Sequence, residues 1–413
     1  MKDPALPRQP ELNIGTIGHV DHGKTTLVES LTGVWAARHS EELKRGITIK
    51  LGYADAAIYR CPKCESPRNY STQETCPRCG SKGESVRALS FVDAPGHEAL
   101  MATMLSGAAV MDGVILVIAA DERCPQPQTR EHLAAIEIIG IDKIIIAQNK
   151  IDIVDRKRAL ESYREMKDFV KGTVAEKAPI IPLSAQSHVN IDLLLYALEQ
   201  NIPTPVRDTS KPPRMHVVRS FDVNKPGTPI EDLVGGVIGG AIFQGKFNVG
   251  DELEIRPGIG GAKEGSPSYE TLSTEIVSLH AGGRRTKEAY GGGLVGVGTL
   301  LDPSLTKADG LIGNLAGKPG TLPLTRFEVT LEIHLFERAI GTKELVEVKN
   351  INIGEQLLLD VGTAPTVGKV TGIKGETAEL QLTRPICAEE SARVAVSRKM
   401  MGRWRLIGFG MIK

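Results

Sequence analysis

The sequence of 413 residues predicts an α/β domain with a mostly parallel sheet and helices on both faces, followed by two all-β barrel domains. Three observations predict this fold class. A glycine-containing loop at residues 18–25 lies between an apolar strand and a helical pattern. Short apolar strands then alternate with helix-length segments as far as about residue 206, which is typical of a parallel sheet. Beyond that point the chain changes to short β-rich runs separated by glycine turns, which favours barrels.

Two proline-rich breaks set the predicted domain boundaries. One lies around residues 202–213 and the other at 317–320, and neither can continue a helix. The predicted domains are 1–206, with a cysteine-rich insert at about 59–85, then 207–322 and 323–413. Strands are predicted at 14–18, 90–93, 114–119, 144–148, 180–183, 234–243, 251–255, 275–279, 294–297, 327–334, 355–359, 379–382 and 393–397. Helices are predicted at 128–139 and 191–198, and none is predicted in the barrels.

Composition excludes several classes of protein. Lysine plus arginine and aspartate plus glutamate each total 50, so no global charge attracts the chain to nucleic acid or to anionic membranes. The N-terminal segment has no apolar signal core, and the apolar run at 114–120 is too short to span a bilayer. We therefore expect a cytoplasmic protein, whose six cysteines are free thiols or metal ligands.

Residues 18–25, with the sequence GHVDHGKT, fit a phosphate-binding loop at every position. Glycines let the backbone approach a polyphosphate, Lys24 reaches its β and γ oxygens, and the Thr25 hydroxyl can ligate Mg²⁺. The alternative is a glycine turn in front of a helix. The predicted nucleotide cradle consists of Asp21, His22, Gly23, Lys24, Thr25 and Thr26.

Two further segments supply groups that would sense the γ-phosphate and its metal. Asp93 ends a predicted strand and would hold Mg²⁺ through water, while the Gly96 N–H would bond the γ-phosphate. His97 would orient the attacking water, with a solvent-exposed loop histidine as the alternative. Upstream, Thr48 offers a hydroxyl to the metal, although from the pattern alone it is equally a β-branched filler.

The segment Asn149-Lys150-Ile151-Asp152 follows a predicted strand and would identify the base. The Asp152 carboxylate matches the N1–H and exocyclic amine of guanine, which adenine lacks, so GTP is favoured over ATP. Asn149 would contact N7 or tie loops together, and the Lys150 stem would cover one face of the base. Backbone N–H groups of Ser184, Ala185 and Gln186 would close the pocket at O6. Taken alone, the first segment could also be a helix N-cap turn.

Four cysteines are paired in two Cys-x-x-Cys units, and this pattern predicts a structural zinc site. Cys61 and Cys64 precede Cys76 and Cys79, and two such turns facing each other supply four thiolates to Zn²⁺. Two disulfides or a redox pair are the alternatives. The remaining cysteines, Cys124 and Cys387, are interpreted as small buried apolar residues.

Together these motifs resemble the translational GTPases, and within them the gamma subunits of archaeal and eukaryotic translation initiation factor 2. The likeness covers almost the whole chain. Its segments outside any generic GTPase pattern are Arg219-Ser220-Phe221-Asp222-Val223-Asn224-Lys225-Pro226-Gly227, Leu301-Asp302-Pro303-Ser304-Leu305-Thr306-Lys307 and Gly402-Arg403-Trp404-Arg405-Leu406-Ile407-Gly408. It also includes residues 39–48 and Pro127-Gln128-Thr129.

The resemblance implies an α/β P-loop GTPase domain and a switch that carries initiator methionyl-tRNA to the small ribosomal subunit, together with alpha and beta partner subunits. It favours Thr48 as a Mg²⁺ ligand, and it implies that Asp21 and the Gly46 carbonyl hold a second magnesium. The alpha subunit would dock on the second domain and the beta subunit on the first. A tRNA surface is not located, because the basic residues of the barrels are scattered: Arg284, Arg285, Lys287, Arg398, Lys399 and Arg403.

Other functions stay open at this point. One is an elongation-type tRNA carrier, including the selenocysteine-specific kind, which binding of initiator against elongator tRNA would distinguish. Another is a zinc-stabilised assembly scaffold that binds GTP but hydrolyses little, which a GTPase assay with ribosomes would distinguish.

Replacing His97 with alanine should leave nucleotide affinity unchanged and slow hydrolysis by about a hundredfold, because the water loses the group that orients it. Single-turnover GTP hydrolysis measures the effect. An unchanged rate in this variant would exclude His97 from the role.

Overall fold

The computed structural model describes residues 5–34, 51–95, 101–263, 266–337, 339 and 346–413. It divides the chain into two compact units. One is built mainly of residues 6–205, and the other contains residues 206–337 and 347–413. In the described part of the chain, no helix combines the length and the apolar character that crossing a bilayer requires.

The first unit contains one seven-stranded sheet, with strand order β3-β2-β4-β1-β5-β6-β7. Its strands are β1 Leu12–Ile17, β2 Gly52–Arg60, β3 Tyr70–Ser71, β4 Glu84–Asp93, β5 Gly113–Ala119, β6 Ile144–Asn149 and β7 Ile180–Pro182. Five of them pair in parallel, while β2 and β3 run antiparallel at one edge. The predicted mostly parallel sheet is therefore confirmed.

Helices cover both faces of this sheet. Every residue of the central strands β1 and β5 is buried as a result. The helices are α1 Lys24–Thr32, α2 Met101–Ala108, α3 Pro127–Ile139, α4 Arg156–Val170 and α5 Ile191–Asn201. Leucines of α1 and α5, such as Leu31 and Leu194, share one core with Ile14, Phe91 and Ile115 of the strands. The parallel strands all end at the same edge of the sheet, so the loops that follow them lie together.

The second unit begins with a barrel whose sheet has the order β11-β16-β8-β9-β15-β12-β13, and pairing of β11 with β12 closes it. Its strands are β8 Arg214–Phe221, β9 Val237–Gln244, β10 Lys246–Asn248, β11 Glu252–Lys263, β12 Ser266–Ala281, β13 Arg284–Thr286, β14 Glu288–Tyr290, β15 Val295–Thr299 and β16 Leu315–Gly317. The short strands β10 and β14 form a separate ribbon. Apolar side chains such as Met215, Ile238 and Phe247 fill the interior.

A second closed barrel follows, with the order β17-β20-β19-β18-β21-β22. Its strands are β17 Thr325–Leu335, β18 Gln356–Val361, β19 Ala364–Lys374, β20 Thr377–Cys387, β21 Arg393–Met400 and β22 Arg403–Ile412. Antiparallel pairing of β17 with β22 completes the ring. The predicted pair of barrels is confirmed.

The expectation that the barrels contain no helix is wrong in the first barrel. Its described residues include 3-10 turns at Ile230–Asp232 and Lys307–Asp309 as well as one α-helical turn. A single turn, α6 Pro303–Thr306, follows Asp302, whose carboxylate accepts a hydrogen bond from Ser304 N at 2.8 Å. A cap and a proline at the first position are enough to set one turn, but four residues are too few to show a helical period.

Asp360 is a buried carboxyl group on β18. Neither of its oxygens has a hydrogen-bond partner among the described residues, and burial raises its pKa to about 8. Alternation along the strand places it on the opposite face from Leu357 and Leu359. At neutral pH the group is therefore protonated, and ionising it in place is costly.

The variant Asp360→Asn should be more stable than the wild type by about 2 kcal/mol or more at pH 7.5. Folding raises the pKa of this acid from 3.8 to about 8, so the penalty is absent below about pH 4, grows as the pH rises and levels off above pH 8. Melting temperatures from pH 5 to 9 measure it, with the exposed Asp168→Asn as control. A difference that stays constant over this range would contradict the interpretation.

Candidate functional site

The phosphate-binding loop connects the end of β1 to the start of α1. Gly18, Asp21 and Gly23 have φ angles of 137°, 63° and 87°. Glycine is required at two of these positions, because a Cβ at Gly18 would overlap the Val117 carbonyl oxygen and one at Gly23 would overlap the Asn149 amide. The backbone therefore adopts the turn that the motif predicts, directly before a helix N-terminus.

Lys24 is buried, and its ammonium group lies within this loop. Nζ donates hydrogen bonds to Gly18 O at 3.0 Å and to His19 O at 2.7 Å. Burial lowers its pKa to about 8, while the carboxylates of Asp93 and Asp21 act in the opposite direction. The loop carbonyls thus hold a cation where an anionic phosphate would bind.

Hydroxyl and carboxylate oxygens suited to Mg²⁺ meet where the ends of β1 and β4 lie next to the start of α1. Thr25 Oγ1 donates to Asp93 Oδ2 at 2.6 Å, and Thr16 Oγ1 donates to Asp93 Oδ1 at 2.9 Å. Hydroxyl and carboxylate oxygens are the hard ligands that Mg²⁺ prefers, so these residues fit the predicted metal. Asp21, a further predicted ligand, lies in the phosphate-binding loop.

Four predicted switch residues, Gly46, Thr48, Gly96 and His97, lie outside the described residues.

Two buried histidines lie at the phosphate-binding loop. His22 is part of it, and His132 contacts its backbone. Gly18 N donates to Nδ1 of His132, on α3, at 2.8 Å, and His22 Nδ1 lies 3.0 Å from Val117 O. Burial lowers the pKa of His132 well below its usual value and that of His22 to about 3, so both rings are neutral near pH 7. The sequence analysis missed His132, since a histidine inside an amphipathic helix carries no local signal for this contact.

Asn149 joins the phosphate-binding loop to the loop after β7. Its Nδ2 donates to His22 O at 2.9 Å, and its Oδ1 accepts from Ala185 N at 3.0 Å. The sequence left two roles open for Asn149, a contact with N7 of the base or a tie between loops. In the structure Asn149 ties the two loops together. Ser184 N also bonds within the protein, to Val189 O at 3.2 Å, so Gln186 is the better candidate of the three for an N–H directed at a base.

The predicted base-recognition segment, residues 149–152, continues in a left-handed turn and one turn of 3-10 helix, Ile151–Ile153. Lys150 has φ 62°, and its Nζ lies 3.5 Å from Asp121 Oδ2. The Asp152 side chain is exposed at this edge of the sheet. A carboxylate in this position is accessible to an incoming base.

The four paired cysteines come together in the insert between β2 and β4. All four sulfurs lie within 4.8 Å of one another, with Cys61 Sγ 3.4 Å from Cys79 Sγ and Cys64 Sγ 3.8 Å from Cys76 Sγ. A tetrahedral zinc with Zn–S bonds of about 2.3 Å needs sulfurs about 3.8 Å apart, whereas a disulfide needs about 2.05 Å. The thiols therefore fit zinc, and the disulfide alternative is wrong.

The insert is anchored on α5 of the same unit. Arg78 forms an ion pair with Asp192 at 2.9 Å, and the Tyr70 ring lies 5.9 Å from that of Tyr196. The Ser81 hydroxyl and N–H lower the pKa of the Cys79 thiol to about 6, whereas hydrogen bonds with Cys79 and Cys61 raise the pKa of the Cys64 thiol to about 12.

The first barrel contains a pocket of about 510 Å³ that the sequence did not locate. Its lining is mainly apolar with some polar groups, and it includes Phe221, Val223, Val234, Val237, Val277, Ser278, His280 and Arg285. These residues come from separate stretches of the chain, which is why no motif shows the pocket. Among the basic residues singled out earlier, Arg285 lines it, whereas Arg398 bonds to Glu355 and to the carbonyls of Lys349 and Asn350.

Two family models match separate parts of the chain. Residues 9–204 match the Elongation factor Tu GTP binding domain, and residues 327–412 match Initiation factor eIF2 gamma, C terminal.

Among solved structures, a bacterial selenocysteine-specific elongation factor, EF-Sec, has a TM-score of 0.74 at 23% identity. This match covers 98% of this chain and 58% of that one. The elongation factor SelB from Methanococcus maripaludis, in complex with GppNHp, has a TM-score of 0.72 at 22% identity, covering 99% and 80%. At such identities the likeness shows the fold alone.

Full-length relatives are much more similar. The translation initiation factor 2 subunit gamma of Pyrococcus abyssi is 61% identical over 406 residues, covering 98% of each chain. That of Methanothermobacter thermautotrophicus is 59% identical over 408 residues, covering 99% of this chain and all of the relative. By this identity along its whole length, and with the loops of a P-loop nucleotide site at one sheet edge, the chain belongs to the translation initiation factor 2 gamma subunit family and is a translational GTPase.

Proposed function

We propose that this protein carries initiator methionyl-tRNA to the small ribosomal subunit while GTP is bound, and that GTP hydrolysis releases the tRNA. The observation that carries the proposal is the meeting of a phosphate-binding loop, the Thr25–Asp93 pair and the Asn149 tie at one edge of the sheet. This arrangement couples the groups around a triphosphate to the groups around a base. The full-length relatives are named as initiation factor subunits, which favours the initiator tRNA.

Each nucleotide-site residue has a role in the proposal. The loop N–H groups and Lys24 bind the phosphates, and Thr25 and Asp93 hold Mg²⁺, whose charge offsets that of the phosphates. Asp152 selects guanine through a paired carboxylate, with Lys150 covering the ring and Gln186 directed at O6.

The switch residues are proposed from sequence alone. Thr48 completes the metal shell, Gly96 bonds the γ-phosphate, and His97 orients the water. Asp21 and the Gly46 carbonyl are the proposed ligands of a second magnesium.

The pocket of the first barrel is the proposed site for the aminoacyl end of the tRNA. Its apolar walls, including Phe221 and Val277, suit an unbranched thioether side chain, because such a chain gains free energy by leaving water. Arg285, an exposed residue of the lining, suits a backbone phosphate. A volume of about 510 Å³ lies within the range of small-ligand sites, roughly 300–1,000 Å³.

We further propose an assembly with alpha and beta subunits of initiation factor 2, the alpha subunit on the second domain and the beta subunit on the first. The printed names of the relatives support this, since each is a subunit of a larger factor. An elongation-type carrier and a scaffold with little hydrolysis are the competing functions that the tRNA experiment below distinguishes.

The four-cysteine site should bind one structural zinc ion per chain. Its loss in Cys76→Ser should make the insert sensitive to protease while guanine nucleotide affinity changes by less than about twofold, because the insert is a separately anchored element. Elemental analysis, limited proteolysis and GDP titration measure these effects, with Cys387→Ser, a cysteine of the second barrel, as the matched control. Wild-type protein without zinc, and with four freely titratable thiols in the insert, would exclude the site.

Initiator methionyl-tRNA should bind more tightly with GTP than with GDP, and addition of the alpha subunit should strengthen binding. Val277→Glu should weaken it by about tenfold or more, because Val277 is partly exposed in the pocket lining and a carboxylate there would lose its water to the bound aminoacyl group without gaining a partner. Filter binding of radiolabelled tRNA measures both effects. Val249→Glu, an exposed valine of the same barrel outside the pocket, is the control.

The same assay distinguishes the alternatives. Equal binding of initiator and elongator tRNA would indicate an elongation-type carrier. GTP binding without any tRNA binding, and without hydrolysis on ribosomes, would indicate a scaffold. An effect of Val249→Glu equal to that of Val277→Glu would exclude the pocket.

A further inference from the structure

Arg158, near the start of α4, binds a loop that belongs to the nucleotide site. Its Nε donates to Ala120 O at 3.0 Å and one terminal nitrogen donates to Glu122 O at 2.6 Å. The same guanidinium forms a two-pronged pair with Glu165, at 2.8 and 3.1 Å. Glu165 in turn accepts from Cys124 N at 2.9 Å. Three backbone atoms of residues 120–124, the segment that follows β5, are therefore fixed by one ion pair on α4.

Two carboxylates of this segment face the nucleotide loops. Asp121 Oδ2 lies 3.5 Å from Nζ of Lys150, in the base-recognition segment. Glu122 Oε2 lies 3.5 Å from Nε2 of the buried His22, in the phosphate-binding loop. The segment thus contacts both halves of the proposed site, and its backbone sets where these carboxylates lie.

Only an arginine can make this set of contacts. A planar guanidinium presents five donors in a fixed fork, enough to serve a carboxylate and two carbonyls that point in different directions. Arg158 and Glu165 have side-chain exposures of 23% and 29%, so water screens their pair only in part. Neither residue lies in any motif identified from the sequence.

We propose that Arg158, held by Glu165, is a positioning residue of the guanine nucleotide site that slows nucleotide release. It acts through the loop 120–124, which holds Asp121 against Lys150 and Glu122 against His22. When the guanidinium is removed, the loop loses its two carbonyl contacts, and both nucleotide loops lose a fixed neighbour. The inference rests on the proposed guanine nucleotide site and adds a determinant of its exchange rate.

Stopped-flow release of a fluorescent GDP analogue from the full chain tests the proposal. Arg158→Gln and Glu165→Gln should each raise the dissociation rate about tenfold. Arg164→Gln removes the same charge from an exposed position on the same helix and should leave the rate unchanged. Guanine should still be preferred over adenine in the Arg158 and Glu165 variants, because Asp152 is untouched.

A second measurement separates positioning from mere stabilisation of the domain. In a background carrying Asp121→Asn and Glu122→Gln, the further change Arg158→Gln should raise the release rate by less than about twofold, because the groups it acts through are already altered. A full tenfold increase in that background would overturn the proposal. So would release from Arg158→Gln and Glu165→Gln at the rate of Arg164→Gln, whatever their melting temperatures.

Failure of the proposed nucleotide site has a different signature. In that case wild-type protein would bind no guanine nucleotide, or Asp152→Asn would leave the preference for guanine unchanged.

Discussion

The nucleotide site depends on one side-chain amide. Asn149 bridges residues 127 and 36 positions away in sequence, and it uses one donor and one acceptor to do so. Each bond contributes only about 1 kcal/mol net, but a buried amide left unpaired costs about 1–3 kcal/mol. The phosphate-binding loop and the loop after β7 are therefore held in one relative position. Parallel strands bring the loops to the same edge, and Asn149 fixes their distance there.

Contiguous motifs made the first part of the site predictable from sequence. The phosphate-binding loop, Asp93 and the paired cysteines each carry their chemistry within a few residues. Their backbone requirements, such as glycine at a positive φ, can be recognised from the residue types in the sequence. His132 and Arg158 were not predictable in this way. Their partners lie 114 and 38 positions away, and only the packing of α3 and α4 against the strands brings them together.

In the barrels too, features that depend on residues distant in sequence could not be predicted. The run predicted at 275–279 is part of a much longer strand, Ser266–Ala281. Exposed polar residues of this strand, such as Glu270 and Ser273, hide the apolar alternation in the sequence. Strands such as Arg214–Phe221 and Arg403–Ile412 were missed, although both pair along most of their length. Closure is decided by pairing between distant strands, so the number of barrels was easier to predict than the extent of each strand.

The residues that would bind a nucleotide and its magnesium form hydrogen bonds with each other and with the loop backbone, and this affects how tightly a nucleotide can bind. Lys24 bonds to loop carbonyls, and Thr25 bonds to the carboxylate of Asp93, so the groups for an anion and for a cation already have partners within the protein. A bound nucleotide would replace these bonds and gain only the difference in free energy. Affinity is then set largely by how firmly the surrounding segments are held, which is why a distant ion pair on α4 can govern release.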